Sequence, residues 1–363
     1  MKVSVPNLGN TALAAKALFS GLKIDYVFPE ETSKRTLEIG CKYSPEEICL
    51  PFKIMIGNYV EAMEKGADTF VITGSCGPCR YGEYCELQIN ILKKLNPKAN
   101  LIVIDSPRDI GKEELLKRIR LISDNSPLSK SEKIKALFNA VKIINSIDEL
   151  EKSLRFKAGY EINRGECKKT LYNLKNSLKE AENTKEMLSL IKCYKKVSND
   201  ILIDKSRQPI KVAIIGEIYT IIEPFSNLFI EDKLMDLGVS TIRTLYPSWW
   251  VKNLLMSPMK LQSLDIRRAS REYLPHYIGG HGRECIGEAV LSQRHGCDGA
   301  IQIFPFGCMP EIVSKSILPS ISKDKNFPIM TLVVDELTGE AGYITRIEAF
   351  IDLLERRNRR CII

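Results

Sequence analysis

The sequence predicts an α/β protein built as two parallel-sheet lobes joined by a helical middle segment, with a metal site between the lobes. Three observations carry that expectation. Short apolar runs alternate with helical patterns over residues 1–107 and again over 209–363, as in a parallel sheet flanked by helices. Residues 108–208 hold only 3 of the chain's 22 glycines and are dominated by Lys, Glu and Leu, so helices fill that stretch. Each outer part also carries a similar segment with a cysteine at either end.

In the first lobe, KVSVPN reads as a strand, TALAAKALFSGL as a helix closed by Gly21, and KIDYVFP as a second strand. SPEEICLPFKIMIGNYVEAMEKG reads as one helix. Ser44 is its expected N-cap, Pro45 its first residue, and Glu47 stands at the spacing of a capping box. DTFVITGS is a buried strand, CRYGEYCELQINILKKL a helix and NLIVIDSP a strand. In the second lobe, IKVAIIGEI, VSTIRTLYPS, GAIQIFPF and PIMTLVVDE read as strands. PFSNLFIEDKLMDLG, WWVKNLLM, GRECIGEAVLSQRHG, CMPEIVSKSILPSI and AGYITRIEAFIDLLERRNRR read as helices, the last with a basic final turn that suits the helix dipole.

Composition narrows the function classes. The 363 residues are enough for two or three domains, and 44% apolar with 27% charged residues excludes a disordered chain. No apolar run approaches the ~20 residues of a membrane helix. The start, MKVSVPNLGN, reads as a first strand and not as a secretory signal, so a cytoplasmic location is expected. The net charge of +8 resides in residues 111–210, which hold 22 basic and 14 acidic side chains while the remainder balances. No RNA-binding aromatic pattern interleaves that segment, so it reads as a solvated Lys-rich surface and not as a nucleic-acid interface.

Eleven cysteines are an odd number, and without an export signal they argue against a disulfide framework. Histidine is scarce, with only His276, His281 and His295, so thiolate-bound metal is favoured, either iron–sulfur or zinc. Residues 49–78 begin at Cys49, pass Gly66-Ala67-Asp68 and an apolar strand, and end Cys76-Gly77-Pro78. Residues 285–310 begin at Cys285, pass Gly296-Cys297-Asp298 and an apolar strand, and end Cys308-Met309-Pro310. The repeated order reads as a degenerate internal duplication.

The chemistry of those positions points the same way. Cys76 and Cys308 each follow a strand and precede a helix, at the sheet edge where ligands bind and where helix N-termini favour thiolates. Cys49 and Cys285 lie near the starts of helices that return to that edge. Two such lobes would offer four thiolates, the number that holds a cubane cluster. Cys79 completes a C-x-x-C element with Cys76, a pattern shared by redox dithiols, zinc half-sites and cluster ligand pairs. Cys41 is placed to approach the same edge. Cys85 does not share a helical face with Cys79, Cys297 reads as buried, and Cys167, Cys193 and Cys361 have no motif around them.

The stretches PEEICLPFKIMIGNYVEAMEKGAD, TGSCGPCR, CDGAIQIFPFGCMPEIVSKSIL and DELTGEAGYITRIEAFIDLL resemble the 2-hydroxyacyl-CoA dehydratase superfamily, in its acyl-CoA dehydratase activase-related (CoA enzyme activase) branch. The resemblance covers both outer lobes but not the middle segment. It implies two Rossmann-like lobes with a 4Fe-4S cluster between them, held by Cys49, Cys76 and Cys308. Relatives with a double-cubane, 8Fe cluster use more thiolates, for which Cys285 and Cys79 would serve. The resemblance further implies electrons from an ATP-dependent activase or another low-potential donor, a second related subunit or a homodimer, and an acyl-CoA or other small-molecule substrate.

The chain has no G-x-x-x-x-G-K-[ST] phosphate loop, so it reads as an electron acceptor and not as the ATPase. Whether it acts as a reductase, as a dehydratase-type lyase component or as an electron carrier is left open by the residues. No CoA element stands out, although Arg283, Arg346 or the middle lysines would suit its phosphates. Asp335, Glu336 and Glu340 read as helix-capping or ion-pairing groups before proton-transfer groups, and Gly279-Gly280 with Gly282 is a weak phosphate signal. The alternatives are a zinc-stabilised or a metal-free two-lobe ligand-binding protein.

Overall fold

A computed structural model of the chain describes residues 1–74, 81–105, 110–256 and 263–360. It separates into two compact units. The first comprises Met1–Asp148, Leu174–Cys193 and Pro247–Gln262, and the second Glu149–Asn173, Tyr194–Tyr246 and Ser263–Ile363. The predicted middle segment is therefore divided between the units. Its helices are α5 (Lys112–Ser123), α6 (Lys130–Lys157), α7 (Glu166–Glu180) and α8 (Thr184–Asp200).

The first unit contains β1 (Lys2–Ser4), α1 (Thr11–Leu22), β2 (Asp25–Tyr26), α2 (Lys34–Tyr43), α3 (Leu50–Glu64), β3 (Thr69–Thr73), α4 (Tyr81–Leu95) and β4 (Asn100–Ile104). Its strands form a parallel sheet in the order β2-β1-β3-β4. α1 buries residues around most of its circumference, Leu13, Ala17 and Phe19 among them, and closes on Lys23 in the left-handed region at φ 56°, two residues beyond the predicted Gly21 stop. Pro209, Ile210 and the strands of the second unit follow α8 in the chain.

One expected helix is really two. Ser44 does not open a helix; it closes α2, and the capping box sits eleven residues earlier, where Ser33 and Thr36 satisfy each other's backbone N–H groups. Residues 44–49 turn the chain, and α3 starts at Leu50 with Cys49 as N-cap residue and Pro51 in its first turn. The two helices pack through glycines. A Cβ on Gly40 of α2 would lie 1.9 Å from the Lys53 carbonyl oxygen, and one on Gly57 of α3 would lie 2.0 Å from that of Thr36. This close approach needs both residues to lack a side chain, and it buries α3 almost continuously from Leu50 to Tyr59.

The second unit contains β5 (Lys211–Gly216), α9 (Ile218–Ile222), α10 (Ile230–Asp236), β6 (Ser240–Arg243), α12 (Leu264–Ser270), α13 (Gly282–Arg294), β7 (Gly299–Pro305), α14 (Met309–Asp324), β8 (Ile329–Val334) and α15 (Glu340–Arg360); α11 (Pro247–Met256) belongs to the first unit. Its parallel sheet has the order β6-β5-β7-β8, which repeats the connectivity of the first unit strand for strand. The helix expected over PFSNLFIEDKLMDLG is shortened to α10, because Leu228 and Phe229 adopt left-handed φ values of 54° and 56°. Asn227 Oδ1 then caps the Ile230 N–H at 3.2 Å.

In each sheet the strand order reverses beside the first strand, between β1 and β3 and between β5 and β7. The carboxyl edge at such a reversal is the binding position of open α/β sheets. β5 ends there at Gly216, with φ 128°, where a Cβ would stand 2.1 Å from the Ile303 carbonyl oxygen of β7. The core behind β7 gathers Ala213, Ile215, Ile286, Ala289, Val290 and Leu318. A buried ion network ties α6, α10 and β6. Arg155 meets Glu151 at 2.9 Å, Glu231 at 3.3 Å and Asp232 at 2.9 Å, while Arg243 meets Glu231 at 3.3 Å and stacks 4.1 Å from the Tyr246 ring.

Candidate functional site

Cys49 and Cys308 occupy matching backbone positions. Each is the N-cap residue of a helix with extended backbone, at φ −67°, ψ 152° for Cys49 and φ −72°, ψ 101° for Cys308. Each is followed by one residue and then by a proline in the first turn, as Cys49-Leu50-Pro51 and Cys308-Met309-Pro310. The first-turn N–H groups of a helix have no intrahelical acceptor, and their partial positive charge favours a thiolate over a thiol. Both positions therefore suit a sulfur that binds metal.

Cys76 and Cys79 lie outside the described residues. In sequence, Cys76 follows the last residue of β3 by three positions, as Cys308 follows the last residue of β7. Cys76-Gly77-Pro78 also repeats the Cys-x-Pro pattern. The shared spacing of Cys49, Cys76 and Cys308 to a proline is a signal legible in the sequence, and it separates these three from Cys285, which is followed by Ile286-Gly287.

The Cys49 sulfur has a buried donor. Tyr84 of α4 donates its hydroxyl to Cys49 Sγ at 2.9 Å. The Tyr84 ring meets Phe52 edge-on, with centroids 5.0 Å apart, and Cys49, Phe52, Ile56 and Tyr84 form one apolar cluster. No local sequence signal marks Tyr84, since its contact joins the start of α3 to α4 across 35 residues.

Cys285 is placed differently. It is the fourth residue of α13, fully buried among the apolar side chains behind β7. Burial raises its thiol far above the ordinary range, and the nearby Glu311 carboxylate, which accepts the thiol's hydrogen bond, raises it further. Glu311 is itself fixed by Gln302, whose amide donates to Glu311 Oε2 at 2.9 Å and to the Glu311 carbonyl at 3.2 Å; Thr331 donates to Gln302 Oε1 at 3.0 Å. Burial lifts Glu311 to about 7 against the hydrogen bonds from Gln302 and Cys285. Glu288 is raised as well, first by burial and then by the neighbouring Glu284. One carboxylate oxygen each of Glu284 and Glu311 lacks a hydrogen-bond partner, while the Thr244 side chain hydrogen-bonds the Glu288 carboxylate. These carboxylates, with burial, oppose ionisation of the free Cys285 thiol, whereas the helix N-terminal positions of Cys49 and Cys308 favour thiolates.

The remaining candidates take structural places. Cys297 is buried, and its thiol is pushed up to about 12 chiefly by burial. Cys167 is buried, Cys193 exposed, and Cys41 and Cys85 half-buried; Cys361 lies outside the described residues. His281 and His295 flank α13 as its end residues, and His276 is exposed in the preceding loop. Asp335 accepts from Leu337 N and Thr338 Oγ1 in the turn before α15, Glu340 pairs with Lys233 at 2.8 Å, and Arg346 donates to the Thr331 carbonyl. Among the described residues, no group of three or more His, Cys, Asp or Glu side chains is arranged to hold a metal ion, and no helix is long and apolar enough to cross a membrane.

The chain matches no protein-family model and no curated protein.

Proposed function

We propose that the chain is an iron–sulfur protein that transfers single electrons at low potential, related to the 2-hydroxyacyl-CoA dehydratases. The supporting observation is the matched placement of Cys49 and Cys308. Both are N-cap residues of a Cys-x-Pro helix start, in units that repeat one strand order. In this reading Cys49, Cys76 and Cys308 hold a 4Fe-4S cluster with thiolates drawn from both units, and Cys79 is the further thiolate for a larger, double-cubane cluster. Cys285 stays a protonated core thiol. When bound, the cluster supplies one-electron redox chemistry.

The electron donor in this reading is an ATP-dependent activase or another low-potential protein. The acceptor is a second subunit, or an acyl-CoA or other small molecule, in the cytoplasm. The test is reductive titration of protein purified without oxygen. A visible absorption band that bleaches with about one electron per cluster, and is absent from Cys49→Ala and Cys308→Ala, is the expected result. Stoichiometric zinc in place of iron, with no such band, would assign the thiolates to a structural zinc site instead.

A further inference from the structure

We propose that Tyr84 is a positioning residue for the cluster, holding the Cys49 sulfur through its hydroxyl and raising the potential at which the bound cluster takes an electron. This inference rests on the reading of Cys49 as a cluster ligand. It assigns a role to a residue outside every cysteine motif in the chain.

The geometry is specific. Tyr84 is only 5% exposed, and its hydroxyl lies 2.9 Å from Cys49 Sγ. The ring is held by the edge-on contact with Phe52, and Leu87 and Ile91 from its own helix pack against the same cluster. A buried phenol needs a hydrogen-bond partner, and here that partner is a sulfur in apolar surroundings, where the bond is stronger than in water. The aromatic body fixes where the hydroxyl points, and the N-cap conformation of Cys49 fixes where the sulfur waits.

The consequence for redox chemistry follows from charge. A thiolate bound to iron keeps negative charge, and that charge grows when the cluster is reduced. A hydrogen bond to the sulfur therefore stabilises the reduced form more than the oxidised form, and the potential rises. A role confined to packing would not do this, because phenylalanine fills the same space as the tyrosine ring.

The experiment compares wild-type protein, Tyr84→Phe and protein carrying 3-fluorotyrosine at position 84, all purified without oxygen, by iron per chain and midpoint potential. The expected result is equal iron in all three, a lower midpoint for Tyr84→Phe and a higher midpoint for fluorotyrosine, whose more acidic hydroxyl donates more strongly. Equal iron with an unchanged midpoint in both, or shifts in the same direction, overturns the inference and leaves the cluster standing. If Tyr84→Phe does not retain iron, the fluorotyrosine protein decides: a raised midpoint supports the inference and an unchanged or lowered one overturns it. Wild-type protein without iron overturns the cluster reading and this inference with it.

Discussion

Gln302 donates its amide to the Glu311 carboxylate at 2.9 Å, deep behind β7, and the same carboxylate accepts the thiol of Cys285. Residues from a central strand and two helices thus close one polar chain inside an apolar core. It raises the free Cys285 thiol well above its ordinary range, and it ties down Glu311 in the first turn of the helix that Cys308 caps.

The first prediction follows from that chain. Cys285→Ala retains the iron content of the wild type, whereas Cys49→Ala, Cys76→Ala and Cys308→Ala each lose most of it. The expected stability cost of Cys285→Ala is about 1–2 kcal/mol for a small buried cavity. Metal analysis beside a urea titration separates the two effects. Iron loss in a folded Cys285→Ala protein would return Cys285 to the ligand set.

A second prediction concerns pH. Glu311 is lifted from 4.5 to about 7 by burial, so the folded state holds its proton more tightly than the unfolded chain does. Its contribution to stability is fully present below about pH 4.5 and is lost as pH rises through about 7, on the order of 3 kcal/mol in all. Glu311→Gln should flatten that part of the stability profile. Denaturant midpoints between about pH 5 and about pH 8 measure it, and a variant with the wild-type slope contradicts the assignment.

The α2–α3 contact gives a third. The Cβ introduced by Gly57→Ala would meet the Thr36 carbonyl oxygen at 2.0 Å, so the helices must separate. The expected loss is more than about 2 kcal/mol, larger than an exposed helical Gly→Ala exchange, which normally stabilises. Thermal unfolding of the variant, with Gly342→Ala as a comparison at an exposed, open helical site, checks it.

The buried ion network gives a fourth. Arg155→Ala removes one of the two guanidinium groups that Glu151 and Glu231 share with Arg243, and breaking such buried pairs costs about 3–5 kcal/mol. Chemical denaturation should show the loss, and a cost within the range of an exposed pair, under about 1 kcal/mol, would contradict it.

The strands were legible because each is a short apolar run bounded by turn residues, and the structure places β1 to β8 within the eight runs expected. Helix boundaries were harder. Ser44-Pro45 with Glu47 carries the residues of a helix start, yet Ser44 ends α2, because the packing of Gly40 against α3 decides where both helices run. Likewise, Cys49 and Cys285 look equivalent by order along the chain. Their difference is one of helical position, N-cap against fourth residue, and of tertiary partners, Tyr84 against Glu311. Cysteine order carries neither distinction, although the Cys-x-Pro spacing carries the first.

The central claim is that this chain binds an iron–sulfur cluster, and the most direct test is iron and acid-labile sulfide per chain in protein purified without oxygen. The account predicts about four of each, or about eight if the cluster is a double cubane. Protein with neither iron nor sulfide, even after anaerobic reconstitution, would contradict it.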